Sequence, residues 1–193
     1  MHSLWTLFLL MAAPFWEAKP PDQWSNTDLD LMFRNSPWAQ TALLSTKIGG
    51  EAQIFVYLAS AKPMQAAEEE RWIRRRRKPD PVAEEYIIWA KENLGKYIVL
   101  AAHVPTSIAF SEEDESKRID KESAMRIGRK KYAPVMHFLP SSTDEHLRFV
   151  FPREAIAEGK KLTFEFYVPS IASPYREAEF ALKDLTYKGA HEY

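Results

Sequence analysis

In the last third of the chain, H-L-R-F-V-F-P (His146–Pro152) and L-T-F-E-F-Y-V-P (Leu162–Pro169) put a bulky apolar side chain at every second position. Successive side chains of an extended strand point to opposite faces. Leu147, Phe149 and Phe151 therefore share one face, as do Leu162, Phe164, Phe166 and Val168. A helix would scatter these rings around its axis, so the text demands strands with a phenylalanine-rich inner face. At such strict alternation the phenylalanines are expected to be core rather than the lining of a ligand cavity. Ala178, Phe180 and Leu182 continue the pattern, which then skips to Leu185 and Tyr187. That one-residue shift predicts a β-bulge near Lys183-Asp184.

Strand text also occurs earlier. Thr41–Ile48 and Ala52–Ala59 flank Gly49-Gly50 and read as a hairpin that Pro63 ends. Lys96–Val104 is apolar on both faces, as an interior strand would be. Helices fill the gaps. Ser25 and Asp28 form an S-x-x-D capping box, with Trp24 and Leu29 placed as a hydrophobic staple around it. Leu29, Met32 and Phe33 share one helical face, and Pro37 stops the helix near Asn35. Met64–Lys78 is helical in propensity. Asp80-Pro81 opens a further helix with Val82, Tyr86, Trp89, Ala90 and Leu94 as its apolar stripe, closed by Gly95. Ser111–Met125 is dense in charge and reads as an exposed helix or loop. The expected fold class is α+β: an antiparallel β-sheet with a few helices packed on it, one domain over residues 19–193. A chain of 193 residues, 46% hydrophobic, can bury such a core.

Residues 1–18 read as a signal peptide. The apolar run Leu4–Ala13 matches a secretory core segment and falls well short of the ~20 residues a membrane span needs. No Lys or Arg precedes it, and no sharp cleavage site follows. The mature chain is expected to begin between Pro14 and Lys19 and to be periplasmic or extracellular. Cysteine is absent, which excludes disulfides, thiolate metal sites, a cysteine nucleophile and a lipoprotein anchor. A formal net charge of −1 supplies no field to attract nucleic acid or an anionic membrane, and neither is an expected partner.

W-S-N-T-D (Trp24–Asp28) with N-S-P-W-A (Asn35–Ala39), and F-V-F-P-R (Phe149–Arg153) with F-A-L-K-D-L-T-Y-K-G (Phe180–Gly189), resemble in order and spacing a family of small exported proteins from environmental bacteria. The S-P-W and F-P-R…L-K-D-x-x-Y-x-G elements carry the likeness; the middle of the chain does not share it. The resemblance implies export and one α+β domain. It implies no activity and brings no catalytic residues with it.

Few catalytic signatures are present. The six glycines are scattered, so no phosphate-cradling loop exists, and neither G-x-S-x-G nor H-E-x-x-H occurs. Of five histidines, His137 and His146 lie on neighbouring expected strands across a turn and could meet. The basic run R-W-I-R-R-R-R-K (Arg71–Lys78) follows three glutamates. Glu68–Arg71 and Glu70–Arg74 stand at helical pair spacings, so a solvated helix face is expected there rather than a phosphate-binding patch. No catalytic, cofactor-binding or metal residue is nominated. Trp24, Trp38, His137 and His146 are the residues nominated for a ligand or partner surface, with anchoring of the first helix as the expected role of the two tryptophans. The expected function is binding or structural interaction, with a protein or an apolar ligand. The second reading is a hydrolase whose carboxylates and histidines converge only in three dimensions. Convergent polar groups in a cleft would favour the enzyme, an apolar groove the binding module.

Overall fold

A one-turn helix, α1 (Phe15–Ala18), and a 3-10 turn at Pro21–Gln23 lead into α2 (Asn26–Arg34), whose start follows the capping-box expectation. The Asp28 backbone N–H donates to Ser25 Oγ at 3.0 Å, and the Ser25 N–H donates to Asp28 Oδ2 at 2.8 Å. Leu29, Met32 and Phe33 are buried as one face, and the helix ends at Asn35. The computed structural model describes residues 13–45, 51–104, 113–153, 161–169 and 174–193. Most of the apolar run from Leu4 and the Gly49-Gly50 turn lie outside the described residues.

β1 (Ala39–Ser45) pairs antiparallel with β2 (Glu51–Leu58). Pro63 then sits in the first turn of α3 (Lys62–Arg75), where its missing N–H has no helical partner to lose. It begins a helix rather than merely ending the hairpin. Asp80 caps α4 (Pro81–Asn93) by accepting from the Ala83 N–H at 2.9 Å. Val82, expected on the apolar stripe, is exposed, whereas Tyr86 is buried. There follow β3 (Tyr97–His103), α5 (Glu113–Lys121), β4 (Ala124–Ile127), β5 (Lys130–Tyr132) and β6 (Met136–Phe138). The chain closes with β7 (His146–Pro152), β8 (Lys161–Tyr167), β9 (Tyr175–Ala181), β10 (Thr186–Tyr187) and β11 (Ala190–His191).

The class is α+β, with every described strand pairing antiparallel. The strands divide between two larger sheets, ordered β1-β2-β3-β7-β6 and β5-β4-β8-β9, plus the β10-β11 ribbon. The larger sheets face each other through the alternating phenylalanines. Phe149 meets Phe166 at 5.6 Å between ring centroids, and Phe151 meets Phe164 at 5.4 Å. Helices α2 to α4 cover the opposite face of the five-stranded sheet, where Phe33 packs on Tyr57 and Tyr86 on Phe138. Covered on both sides, β3 and β7 are buried almost throughout. The Gln40 side-chain amide ties β1 to β9: it donates to the Glu179 carbonyl and accepts from the Glu179 N–H.

The expected bulge at Lys183-Asp184 is a 3-10 turn, Leu182–Asp184. It advances the chain by the same odd step, so Leu182 and Leu185 are both buried. The strand ends there, and β10 pairs in a separate ribbon. Among the described residues no helix is long and apolar enough to cross a membrane.

Candidate functional site

Strand β7 has two very different faces. Leu147, Phe149 and Phe151 look toward the second sheet, and His146 and Arg148, with Asp144 just before the strand, look toward the helices. Arg148, fully buried, is the hub. Its Nη1 donates to Asp144 Oδ2 at 2.6 Å, and its Nη2 donates to Glu68 Oε1 on α3 at 2.9 Å. The Tyr57 hydroxyl on β2 donates to the same Glu68 oxygen at 2.6 Å, and the guanidinium lies 3.9 Å over the Tyr86 ring of α4. One cationic plane thus joins two helices to two strands. Arg148 Nε and the Tyr86 hydroxyl are buried without a hydrogen-bond partner among the described residues.

Burial and ion pairing oppose one another at Asp144. Burial pushes its carboxyl up, but Arg148 and the His146 hydrogen bond outweigh that and hold it well below the usual carboxylate range. Burial pushes the His146 imidazole down to about 3, against the opposing pull of Asp144, so the ring is neutral at physiological pH. Burial, then Glu68, drives the Tyr57 hydroxyl well above its ordinary value, so it stays a donor. His146 Nδ1 lies 2.6 Å from Asp144 Oδ1. Because that oxygen only accepts, Nδ1 carries the hydrogen and Nε2 keeps its lone pair.

Cavities lie on either side of this network. The larger, about 510 Å³, opens between α3 and α4, with Trp72, Tyr86, Ile87, Ala90 and Leu94 among its walls and Glu68 at its inner end. The smaller, about 270 Å³, opens between α2, α3 and the sheet, with Phe33, Phe55, Tyr57, Arg71, Arg75 and His146 around it. Glu68 Oε2 has no partner among the described residues, and neither has His146 Nε2.

The four nominated residues separate. Trp24 and Trp38 are buried, and both ring N–H groups are taken up inside the chain: Trp24 Nε1 donates to the Lys19 carbonyl at 3.1 Å, and Trp38 Nε1 to the Glu192 carbonyl at 2.8 Å. Neither tryptophan lines a described cavity. His137 and His146 do not meet. His137 pairs in register with Phe149, so it projects from the other face of the sheet, and the histidine beside His146 is His103, 5.4 Å away between ring centroids. His137 instead contacts α5, with Nδ1 2.8 Å from Asp120 Oδ1 and Nε2 3.1 Å from Ser116 Oγ. That is the order of a nucleophile–base–carboxylate relay. Neither of these two cavities reaches it, Asp120 is 42% exposed, and the trio joins α5 to β6.

The basic run also differs from expectation. Glu70–Arg74 pairs at 2.7 Å and Glu68–Arg71 at 3.9 Å, but both glutamates are buried, so this end of the run is wired into the fold rather than solvated. Ile73 and the residues from Arg75 to Lys78 are the exposed part of the run. Among the described residues no three histidine or carboxylate groups cluster as a metal site. Asp144, Arg148, Glu68, Tyr57 and Tyr86 were not nominated by the sequence. Their one local trace is D-E-H-L-R, which puts Asp144, His146 and Arg148 on the strand face opposite Leu147. Comparison with protein-family models, curated proteins and solved structures found no match for this chain.

Proposed function

We propose that the protein is a binding module for a small, largely apolar molecule bearing one hydroxyl group, held in the cavity between α3 and α4. The carrying observation is the Tyr86 hydroxyl, buried and without a partner among the described residues, on a residue that lines this cavity beside Trp72, Ile87, Ala90 and Leu94. An unsatisfied buried hydroxyl costs about 1–3 kcal/mol, which a ligand acceptor would return on binding. Glu68 Oε2 is the complementary acceptor for the ligand's own hydrogen. Trp72, Ile87, Ala90 and Leu94 supply contact area for the apolar body.

The test compares 1-naphthol with naphthalene by quenching of tryptophan fluorescence, using Trp72→Phe to locate the signal. 1-Naphthol should bind about tenfold tighter, the worth of one net hydrogen bond. Tyr86→Phe should erase the difference while leaving naphthalene binding intact. Equal affinities in the wild type, or binding of neither probe, would remove the basis of the proposal.

The apolar run from Leu4 and the resemblance to exported bacterial proteins support export, and with it action in the periplasm or outside the cell. A hydrolase remains the second reading, favoured by one observation: the neutral imidazole of His146, oriented by ionised Asp144 beside a cavity.

A further inference from the structure

We infer that the smaller cavity is a site for a hydrogen-bearing oxyanion, inorganic phosphate being the simplest, with Arg71 and Arg75 as its cationic clamp and His146 Nε2 as the acceptor of the ligand's hydrogen. The inference concerns the opposite side of the Arg148 network from the α3–α4 cavity and does not depend on what that cavity holds.

Three independent features converge on it. First, Arg71 and Arg75 stand one helical turn apart on α3, both lining the cavity. Like charges at that spacing repel, and an anion between them turns the repulsion into attraction. Arg75 has neither a hydrogen bond nor an ion pair among the described residues. Arg71 uses one nitrogen on the Tyr57 hydroxyl at 3.3 Å and stacks 4.1 Å over Phe33, which fixes its plane and leaves other N–H groups to donate. Burial, then the charge of Arg71, pulls the Arg75 guanidinium below its ordinary value, as expected for a cation still waiting for its anion.

Second, the other charges around the cavity are paired locally. Arg34 binds Asp30 at 2.6 Å and lies 4.3 Å over Phe55, and His103 Nε2 lies 3.0 Å from Glu145 Oε2. Arg71 lies 3.9 Å from Glu68 Oε1, an oxygen already shared by Arg148 and the Tyr57 hydroxyl, so the cationic surplus rests on Arg75 first, with Arg71 beside it. Third, His146 presents a lone pair, not a proton. A fully deprotonated anion would set an oxygen lone pair against it, whereas hydrogenphosphate offers an O–H to Nε2 while its remaining oxygens face the two guanidinium groups. A site built to accept a hydrogen rejects an analogue lacking one.

Phosphate and sulfate have nearly the same size and shape, and near neutral pH only phosphate carries a hydrogen. Titration calorimetry of the full chain should therefore show phosphate binding at least about tenfold tighter than sulfate. The imidazole ¹⁵N resonance of His146 Nε2 should move with phosphate saturation. Arg75→Gln, which removes one of two repelling charges, should not lower the melting temperature of the ligand-free chain and should weaken phosphate at least about tenfold. Dimethyl phosphate, the diester of a lipid headgroup, carries no hydrogen and should behave like sulfate; glycerol 1-phosphate at pH 5.5 carries one and should behave like phosphate. Equal affinity for phosphate and sulfate, no phosphate binding at millimolar concentration, or an affinity unchanged by Arg75→Gln would each overturn the assignment.

Discussion

Replacing His146 by asparagine should flatten the acid side of the stability curve. The native imidazole is held near pKa 3 by burial, with Arg71 and Arg148 pushing the same way and Asp144 opposing; in the unfolded chain it returns to 6.5. Between those values the unfolded chain takes up a proton that the native protein refuses. The His146 contribution is therefore complete above pH 6.5, falls by up to ~1.4 kcal/mol per pH unit as the solution is acidified, and levels off near pH 3. From pH 7 to pH 4 this amounts to about 3 kcal/mol, a large share of an ordinary domain's stability. Asparagine keeps an N–H to donate to Asp144 Oδ1 and has no proton to gain. Carboxylates held below their ordinary range, such as Asp80, Asp144 and Glu122, lose stability in the same direction but at lower pH, so the interval from about 6.5 to 5 belongs to His146. Urea midpoints at pH 7, 6, 5 and 4 would show a steep decline for wild type and a shallower one for H146N. Parallel declines would refute the reasoning, because the native imidazole would then be titrating as it does in the unfolded chain.

Arg148→Met should cost about 3–5 kcal/mol in urea denaturation, since it leaves Asp144 and Glu68 buried without their shared cation; a loss under 1 kcal/mol would show the cluster to be hydrated. Trp38→Ala should cost about 3–5 kcal/mol and lower the melting temperature by many degrees, and Trp24→Ala should act in the same direction; melting unchanged in both would mean that the rings do not anchor α2. If a leader is removed in the native host, intact mass should place the new N-terminus at Pro14 or Phe15, because Phe15 packs on Trp24 and Trp16 on Trp38. Met1 retained on a folded cytosolic product would contradict export.

Local signals in the sequence reached far, and their limits have a physical cause. The Ser25–Asp28 box, the Asp80 cap and the alternating phenylalanines each act within a few residues, so their consequences could be read directly. Alternation reports only one face of a strand at a time. In β7 it correctly marked Leu147, Phe149 and Phe151, but it carried no sign that Asp144, His146 and Arg148, toward the other face, are buried together. They are buried because α3 and α4 lie over them, and nothing local states that. The Glu68–Arg148 bond spans 80 positions. Glu68 had an adequate local reading as the helical partner of Arg71, which concealed its buried role. The supposed meeting of His137 and His146 failed through register: the pairing puts His137 opposite Phe149, and a one-residue difference in parity sends a side chain to the other side of the sheet.

The hub at Arg148 also constrains how this sequence can drift over generations. Removing Arg148 strands two buried carboxylates, and removing Glu68 or Asp144 leaves buried N–H groups of Arg148 without their acceptor, each a large share of a domain's margin of stability. Replacing the group together with apolar side chains need cost little. Selection would block each single step and tolerate the joint one, so Glu68, Asp144 and Arg148 should vary together among descendants of this chain or not at all. Tyr57, whose hydroxyl shares the Glu68 oxygen, should follow them. Joint substitution at positions so far apart in the chain would be the evolutionary imprint of one guanidinium plane.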